Sequence, residues 1–279
     1  MKIYDDITIV LVSFRSKDKI KNLIENIPNK FRILIIENSQ DYELKREFET
    51  NDNVDIYLKD NIGYGSAANF ARKKLTSKYF LLCNPDLENI DNISITNFYN
   101  NAENLYPNFL SLGPCFNEKD INPNISYIKK KKISGACMFI CSISFDKIKG
   151  FDENIFLYFE EDDLCTRANK VGLYSYQIKT IFVEHKIGTS ASIINENDKI
   201  KIKELTLWHF IWSKFYFYKK HKGKFLSILY FLPIFFRIIF KIILTKLLSD
   251  ELNHKKYKIR LDGLISSILG KKSSKRINY

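Results

Sequence analysis

The sequence predicts an α/β fold with a mostly parallel central sheet flanked by helices. Its first apolar run, Ile7–Val12, is short, β-branched and continuous, as in strands that are buried on both faces. Apolar residues at helical spacing follow this run and end at Pro28. Strands and helices then alternate, and this alternation is typical of β-α-β units, whose strands run parallel.

The other elements are predicted from the same two periodicities. The further predicted strands are 32–37, 54–58, 79–83, 109–113, 136–140 and 174–183. The further predicted helices are 41–49, 65–76, 92–106, 144–149 and 160–171, and Gly172 ends the last of them. Lys129–Lys132 is predicted to be an exposed basic loop, and Glu184–Ser190 is predicted to be a loop after the last strand.

Polar residues follow several of these strands directly. Ser13, Glu37, Asn61 and Asp86 each come after a predicted strand. In parallel sheets, ligands bind beyond the carboxyl ends of the strands. We therefore expect these four residues to gather at one edge of the sheet.

Charge divides the chain near residue 199. Residues 199–279 hold 19 Lys and Arg against 4 Asp and Glu, whereas residues 1–198 hold 25 against 28. A nearly neutral body with a basic, aromatic extension indicates an anionic surface as the partner of the extension. We predict one domain at 1–198, with halves at 1–90 and 91–198, and a helical extension at 199–279.

The five cysteines include no C-x-x-C pair and leave one unpaired. This pattern argues against a zinc framework and a disulfide scaffold, and it fits a reducing cytosol. The N-terminus has no long apolar stretch after a basic start, so we expect no signal peptide.

Residues 225–248 are almost wholly apolar and long enough to span a bilayer. Arg237, Lys241 and Lys246 interrupt the stretch, and each cation costs about 2.5–3.5 kcal/mol at the bilayer centre. A helix lying in the membrane interface, with its cations on lipid phosphates, explains the pattern at least as well. A helix packed on the core is the third interpretation. We favour the membrane surface.

Four consecutive carboxylates, Glu160 to Asp163, follow an aromatic run. Repulsion between like charges raises the pKa of at least one carboxyl group unless a cation is near, and such a group suits general-base chemistry. The alternative is a solvated acidic helix start that the helix dipole favours.

Two further motifs are candidate ligand sites. Asp86 ends Asn84-Pro85-Asp86, where a carboxylate can hold Mg²⁺ or Mn²⁺ against a diphosphate, although an ordinary proline turn has the same sequence. The segment 61–69 opens a helix with two glycines, which suits either close approach of a nucleotide or close packing. His185 follows a strand and is a candidate second metal ligand or phosphate contact.

Together these motifs resemble the inverting family-two glycosyltransferases of the GT-A fold, a Rossmann-like α/β fold. The rhamnosyltransferase-like bacterial branch is the most similar. The resemblance covers roughly residues 5–220 and rests on the order and spacing of eight motifs: 9–14, 36–39, 61–69, 82–86, 134–136, 150–153, 159–167 and His185.

The resemblance implies roles for particular residues. Asp86 and His185 would bind the metal, although Asn84 replaces the first Asp of the family's D-x-D motif. Glu161 would be the catalytic base; Asp is more usual there, so Glu160 and Asp162 stay as substitutes. The implied donor-binding residues are Ser13, Phe14, Arg15, Glu37, Asn61, Gly63, Gly65, Asn69 and Asn84. The implied acceptor-side residues are Ser134, Gly135, Ala136, Asp163 and Arg167.

The implied activity is metal-dependent transfer of a sugar from a nucleotide-diphosphate donor, with inversion. The branch favours dTDP-rhamnose as donor, and the extension fits a lipid-linked or cell-surface glycan acceptor at the cytoplasmic face of the membrane. The alternatives are an inactive nucleotide-sugar-binding module, a nucleotidyltransferase of related fold, or a nucleic-acid-binding protein that uses the basic extension. The acidic strand-end cluster repels phosphates, so we expect no nucleic-acid partner.

Overall fold

The computed structural model describes residues 2–186, 191–193 and 195–276. The chain forms two compact units. The first comprises Met1–Asp152 and Glu161–Ser192, and the second comprises Glu153–Glu160 and Ile193–Tyr279. The first unit contains the sheets, and the second contains the three C-terminal helices.

The strands and helices are assigned as follows. The strands are β1 Ile7–Ser13, β2 Arg32–Glu37, β3 Val54–Leu58, β4 Tyr79–Cys83, β5 Leu87–Glu88, β6 Phe109–Cys115, β7 Tyr127–Lys130, β8 Cys137–Cys141, β9 Tyr174–Phe182 and β10 Glu184–His185. The helices are α1 Lys2–Asp6, α2 Lys17–Glu25, α3 Tyr42–Glu47, α4 Tyr64–Arg72, α5 Asn92–Leu105, α6 Ser142–Lys147, α7 Glu160–Lys170, α8 Glu196–Lys222, α9 Lys224–Leu247 and α10 Glu251–Ile268, with a 3₁₀ turn at Glu118–Asp120.

The main sheet has eight strands in the order β3-β2-β1-β4-β8-β6-β9-β7. Strands β1 to β4 pair in parallel, as do β6 and β9, whereas β7 and β8 run antiparallel to their neighbours. The predicted mostly parallel sheet is therefore confirmed. A separate two-stranded ribbon joins β5 and β10.

Both faces of the sheet are buried, as the continuous apolar runs predict. In β1, Ile9 and Leu11 belong to one hydrophobic cluster, whereas Val10 and Val12 belong to the cluster on the opposite face. Successive strand side chains point to opposite faces, so a strand covered on both sides needs apolar residues at every position.

Two predicted loops contain strands. Lys129 and Lys130 lie in β7, which pairs with β9, so the prediction of a basic loop at 129–132 is wrong for its first half. Glu184 and His185 form β10 instead of starting a loop, and residues 187–190 lie outside the described part. Pairing with a distant strand overrides local polarity at both places.

The second unit is built around α8, α9 and α10. Its core contains Ile211, Phe215, Phe231, Ile238 and Leu264. Helix α10 approaches α8 closely at Gly263, where an added Cβ would lie 2.7 Å from the Trp208 carbonyl oxygen. A glycine at this position allows the two helices to pack backbone to backbone.

Candidate active site

The carboxyl ends of β1 and β2 bring the first predicted residues together. Ser13 pairs with Glu37 in the parallel register, and the Asn38 backbone N–H donates to the Ser13 carbonyl oxygen at 2.8 Å. Neighbouring parallel strands end at the same edge, which explains why residues 24 positions apart meet here.

Three buried oxygen atoms at this edge have no hydrogen-bond partner among the described residues. They are Ser13 Oγ, Glu37 Oε2 and Asn38 Oδ1. The other Glu37 carboxylate oxygen accepts from Ser39, through the backbone N–H at 2.6 Å and through the hydroxyl group. A buried polar atom without a partner costs about 1–3 kcal/mol. Such atoms are suited to binding a ligand that carries hydrogen-bond donors.

The loop after β1 is held over this edge from two sides. The Arg15 N–H donates to Ser39 Oγ at 3.0 Å, and the Arg15 carbonyl oxygen accepts from the Ser192 N–H at 2.8 Å. Arg15 has a φ of 53°, in the left-handed region. These contacts fix the backbone that carries Phe14 and Arg15 beside Glu37.

Asp86 and His185 form the second part of the site. Their side chains lie 3.5 Å apart, between Oδ1 and Nε2, and the Asp86 side chain is almost fully buried. The β5–β10 ribbon positions them, because His185 pairs with Leu87 and the Lys186 N–H donates to the Asp86 carbonyl oxygen at 3.2 Å. A cavity of about 460 Å³ lies beside this ribbon and is lined in part by Asp86 and Lys186.

This pair suits a divalent cation that shares its coordination with a ligand. Within 2–186, 191–193 and 195–276, no group of three or more His, Cys, Asp or Glu side chains is placed to hold a metal. A carboxylate and an imidazole nevertheless supply two donors, and Mg²⁺ commonly binds through one or two carboxylates together with substrate phosphates and water. The residues therefore fit a cation that binds together with a diphosphate.

Glu161 lies near the same edge, beyond β4 and β8. The Asn84 N–H donates to the Ala136 carbonyl oxygen at 2.9 Å, which joins the Asp86 turn to the start of β8. An added Cβ on the neighbouring Gly135 would lie 3.8 Å from Glu161 Cβ. The Asp86 turn and Glu161 are thus linked through residues 135–136.

Tyr64 is a member of this site that sequence reasoning did not identify. It begins α4, and its hydroxyl group donates to the Gly135 carbonyl oxygen. An added Cβ on Gly135 would also lie 3.7 Å from the Tyr64 ring. The glycine-containing segment, the start of β8 and Glu161 therefore converge around Gly135.

Burial raises the pKa of the Glu161 carboxyl group, and repulsion by Asp162 raises it further. A backbone hydrogen bond and the positive charge of Lys132 oppose this effect. Lys132 also forms an ion pair with Asp162 at 2.7 Å. A raised pKa suits a carboxylate that accepts a proton near neutral pH.

The two neighbouring candidates have different environments. The Asp162 carboxylate forms an ion pair with Lys132, whereas Glu160 is buried in the second unit. Glu161 combines a raised pKa with closeness to the Gly135 segment. This arrangement favours Glu161 as the base.

Several predicted donor-binding residues make contacts within the protein. The Asn69 amide donates to the Phe151 carbonyl oxygen at 3.0 Å and accepts from the Phe151 N–H at 2.9 Å. An added Cβ on Gly65 would lie 2.9 Å from Phe151 Cβ, so Gly65 allows α4 to pack closely on this loop. Gly63 caps α4 with a φ of 87°. Donor binding by Asn69 and Gly65 stays a prediction.

The acceptor-side residues divide into two groups. Ser134 and Ala136 flank Gly135, and the Ala136 N–H donates to Ser134 Oγ at 3.3 Å. Asp163 is fully buried and pairs with Arg167 at 2.7 Å. Arg167 also donates to the carbonyl oxygens of Ile148 and Gly150, at 2.5 and 2.6 Å. This buried pair therefore supports the turn before Phe151.

We expect Asp163→Ala to lower the free energy of unfolding by about 3–5 kcal/mol, because it leaves the part-buried Arg167 without its carboxylate. Asp146→Ala is the matched control, since Asp146 pairs with Arg72 but is half-exposed. An exposed pair contributes about 0–1 kcal/mol. Urea unfolding of both variants measures the difference, and equal losses would contradict the structural role of Asp163.

The chain is similar in sequence or in fold to several known glycosyltransferases. No protein-family model matches the chain. The low-salt glycan biosynthesis hexosyltransferase Agl10 of Haloferax volcanii is 26% identical over 208 residues, which cover 65% of this chain and 67% of that protein.

Three solved structures have a similar fold. The mannosyltransferase PcManGT of Pyrobaculum calidifontis, in complex with GDP-Man and Mn²⁺, has a TM-score of 0.59 at 9% identity, covering 96% of this chain and 88% of its own. GalNAc-T7 with UDP, GalNAc and Mn²⁺ has a TM-score of 0.55 at 13% identity, and the match covers 76% of this chain and 49% of that chain. Residues 1–349 of S. aureus TarS have a TM-score of 0.51 at 12% identity, and the match covers 95% of this chain and 90% of that chain. The likeness confirms the predicted GT-A fold.

Proposed function

We propose that this chain is a glycosyltransferase that transfers a sugar from a nucleotide-diphosphate donor to a glycan acceptor with inversion. The observation that carries the proposal is the linkage of the Asp86–His185 pair to Glu161 through residues 135–136. A candidate cation site and a candidate base thereby belong to one edge of the sheet. The similarity to a hexosyltransferase and the GT-A fold agree with this activity.

The nucleoside of the donor would bind at the ends of β1 and β2. Its base and ribose carry N–H and O–H donors for the buried oxygen atoms of Ser13, Glu37 and Asn38. The Phe14–Arg15 loop would cover it. dTDP-rhamnose is the favoured donor because of the resemblance to the rhamnosyltransferase-like branch.

Asp86 and His185 would hold Mg²⁺ or Mn²⁺. When bound, the cation supplies positive charge that offsets the charge of the departing diphosphate. Glu161 would accept the proton of the acceptor hydroxyl group as the new glycosidic bond forms at the anomeric carbon. A single displacement breaks the bond to the diphosphate and inverts the configuration without a covalent glycosyl-enzyme.

Thermal-shift measurement with a panel of nucleotide sugars tests donor binding. A ligand that binds only the native state raises the melting temperature. We expect at least one nucleotide sugar to stabilise the protein more strongly when Mn²⁺ is present. No stabilisation by any member of the panel would contradict the proposal.

The pH dependence of transfer depends on Lys132. Lys132 lowers the pKa of Glu161, so Lys132→Gln should raise that pKa. Because the base must be ionised, the acidic limb of kcat/KM should move to higher pH in this variant. Lys131→Gln is the matched control and should leave the profile unchanged. An unshifted limb in Lys132→Gln would argue against Glu161 as the base.

We further propose that the enzyme lies on an anionic membrane surface through α9. This helix is the candidate membrane span of the described residues by length and composition. One of its faces packs through Phe231 and Ile238 into the core of the second unit, which is called the helical unit below. The opposite face is an exposed apolar stripe: Phe225, Leu229, Leu232, Phe236, Phe240, Ile243 and Leu247.

Three of the four cations of α9 flank this stripe. With 100° between successive helical residues, Arg237 and Lys241 lie on one side of it and Lys246 on the other. An apolar stripe with cations along its borders is the pattern of a helix that lies in the membrane interface. The acceptor would then be a lipid-linked or cell-surface glycan at the cytoplasmic face.

We expect the double variant Phe236→Glu and Phe240→Glu to bind phosphatidylglycerol vesicles at least about tenfold more weakly than the wild type. Both side chains are about 60% exposed, so the substitutions should leave the fold intact. Tyr42→Glu with Ile93→Glu is the matched control, because these exposed residues lie in the first unit. Equal vesicle sedimentation of both double variants would contradict membrane binding through α9.

A further inference from the structure

A second cavity lies wholly within the helical unit, beside the end of α10. Its volume is about 290 Å³, and side chains of α8, of the segment after α10 and of residues 153–154 line it. It shares no residue with the predicted donor, metal or acceptor sites.

One wall of this cavity is aromatic. Trp212 and Tyr216 lie one turn apart on α8, and their rings stack with centroids 5.1 Å apart and planes 13° apart. Trp208 extends the stack, at 6.3 Å from Trp212. The Trp212 Nε1–H donates to the Lys271 carbonyl oxygen at 3.1 Å, so its polar atom is satisfied and its ring remains as apolar surface.

The rest of the lining is strongly basic. Among the described residues it includes Lys219, Lys271, Lys272 and Arg276 but a single carboxylate, that of Glu153. A concave surface that carries charges of one sign concentrates the field and attracts counter-ions. An anion of suitable size would therefore be bound there by several cations at once.

The segment after α10 is fixed in place by α8. His209 is fully buried and hydrogen-bonds Ser273 Oγ and the Lys275 carbonyl oxygen, both at 2.9 Å. Burial lowers the pKa of His209 to about 4, so the ring is neutral at physiological pH. These bonds hold the backbone that presents Lys271 and Lys272 to the cavity.

The attraction of lysines to helix C-termini does not by itself explain why these cations surround the cavity. Lysines near a helix C-terminus offset the helix dipole, which explains the placement of Lys219 and Lys271. Arg276, however, lies eight residues beyond the end of α10. Its guanidinium group packs over the Phe156 ring, with Cζ 3.6 Å from the ring centroid. The cavity also combines its cations with an aromatic wall, as binding sites for organic anions do.

We propose that this cavity binds the phosphate group of an organic phosphate, with the cations on the phosphate and the aromatic rings against the carbon-rich part. The ligand class includes lipid headgroups and soluble phosphate esters. Assigning this phosphate to a lipid-linked acceptor rests on the proposed function. Binding itself does not, so failure of the two proposals can be told apart.

Titration with octyl phosphate tests the site. The chain has two tryptophans, Trp208 and Trp212, and both belong to the aromatic stack, so their fluorescence reports binding. We expect saturable binding by the wild type. The double variant Lys271→Gln and Lys272→Gln should bind at least about tenfold more weakly, because two charge-assisted contacts are lost.

Lys256→Gln with Lys258→Gln is the matched control, since these lysines lie on α10 outside the cavity, and it should bind like the wild type. If the first double variant does not fold, as judged by its melting curve, Lys219→Gln takes its place. Absence of saturable binding by the wild type, or equal weakening in variant and control, would overturn the proposal.

Competition then identifies the source of the phosphate. Displacement of octyl phosphate by phosphatidylglycerol vesicles, but not by phosphatidylcholine vesicles, supports a lipid headgroup. Displacement by inorganic phosphate alone supports a soluble phosphate ester. Both results support the site, and neither requires sugar transfer to be measured.

Discussion

Glu161→Gln should lower kcat for sugar transfer by about 10²–10⁴-fold, while the affinity for the donor nucleotide changes less than about twofold. General-base catalysis contributes a factor of this size. Glutamine keeps the shape of the side chain but is not able to accept the proton of the acceptor hydroxyl group. The proposed donor contacts at the ends of β1 and β2 should be unaffected, because they involve other residues.

The adjacent carboxylates supply the controls for this experiment. Asp162→Asn and Glu160→Gln should each retain at least about a tenth of wild-type kcat, because the Asp162 carboxylate pairs with Lys132 and Glu160 is buried in the helical unit. Initial rates with saturating donor measure all three variants. Near-normal turnover in Glu161→Gln, together with collapse in either neighbour, would move the base to that neighbour.

Asp86→Ala should lower kcat/KM by about 10²–10³-fold, the usual loss when one group that stabilises developing charge is removed. The same variant should also lose the effect of Mn²⁺ on binding of a nucleoside diphosphate. Calorimetric titration with and without Mn²⁺ measures this second effect without any turnover.

Two further variants test which residues belong to the candidate metal site. His185→Ala should weaken Mn²⁺-dependent nucleotide binding, because its Nε2 lies 3.5 Å from Asp86 Oδ1. Glu88→Ala should not, because Glu88 is a half-exposed carboxylate of the same ribbon that pairs with Lys186. A Mn²⁺ response that survives in both Asp86→Ala and His185→Ala would place the cation elsewhere.

Much of the fold follows from local sequence. The bounds of β2, β3 and β4 are those predicted, because each strand is a short run of mainly apolar and β-branched residues between polar turns. The sequence predicts a helical extension at 199–279 but not the bounds of α10 within it, and it does not predict the short strands β5, β7 and β10. Helix α10 is rich in lysine and contains Gly263, and it packs against α8 and α9, so tertiary contact decides its structure.

The features of the candidate site also fall into two groups: those that local sequence predicts and those that it does not. The positions of Ser13, Glu37 and Asp86 at or just after the ends of β1, β2 and β4 were predictable, because the carboxyl ends of parallel strands meet at one edge. The contact between Tyr64 and Gly135 joins residues 71 positions apart, and the contact between Asn69 and Phe151 joins residues 82 positions apart. Neither spacing carries a local periodicity, so only the folded chain reveals these contacts.

Release of nucleoside diphosphate from a panel of nucleotide sugars, with dTDP-rhamnose included, tests the proposed activity most directly. The purified chain would be supplied with Mn²⁺ or Mg²⁺ and with a membrane-lipid extract as the source of acceptor. We expect at least one donor to give cation-dependent release and a glycosylated product, both lost in Glu161→Gln and in Asp86→Ala. Release that is equally fast in the wild type and in both variants would contradict catalysis at this edge of the sheet.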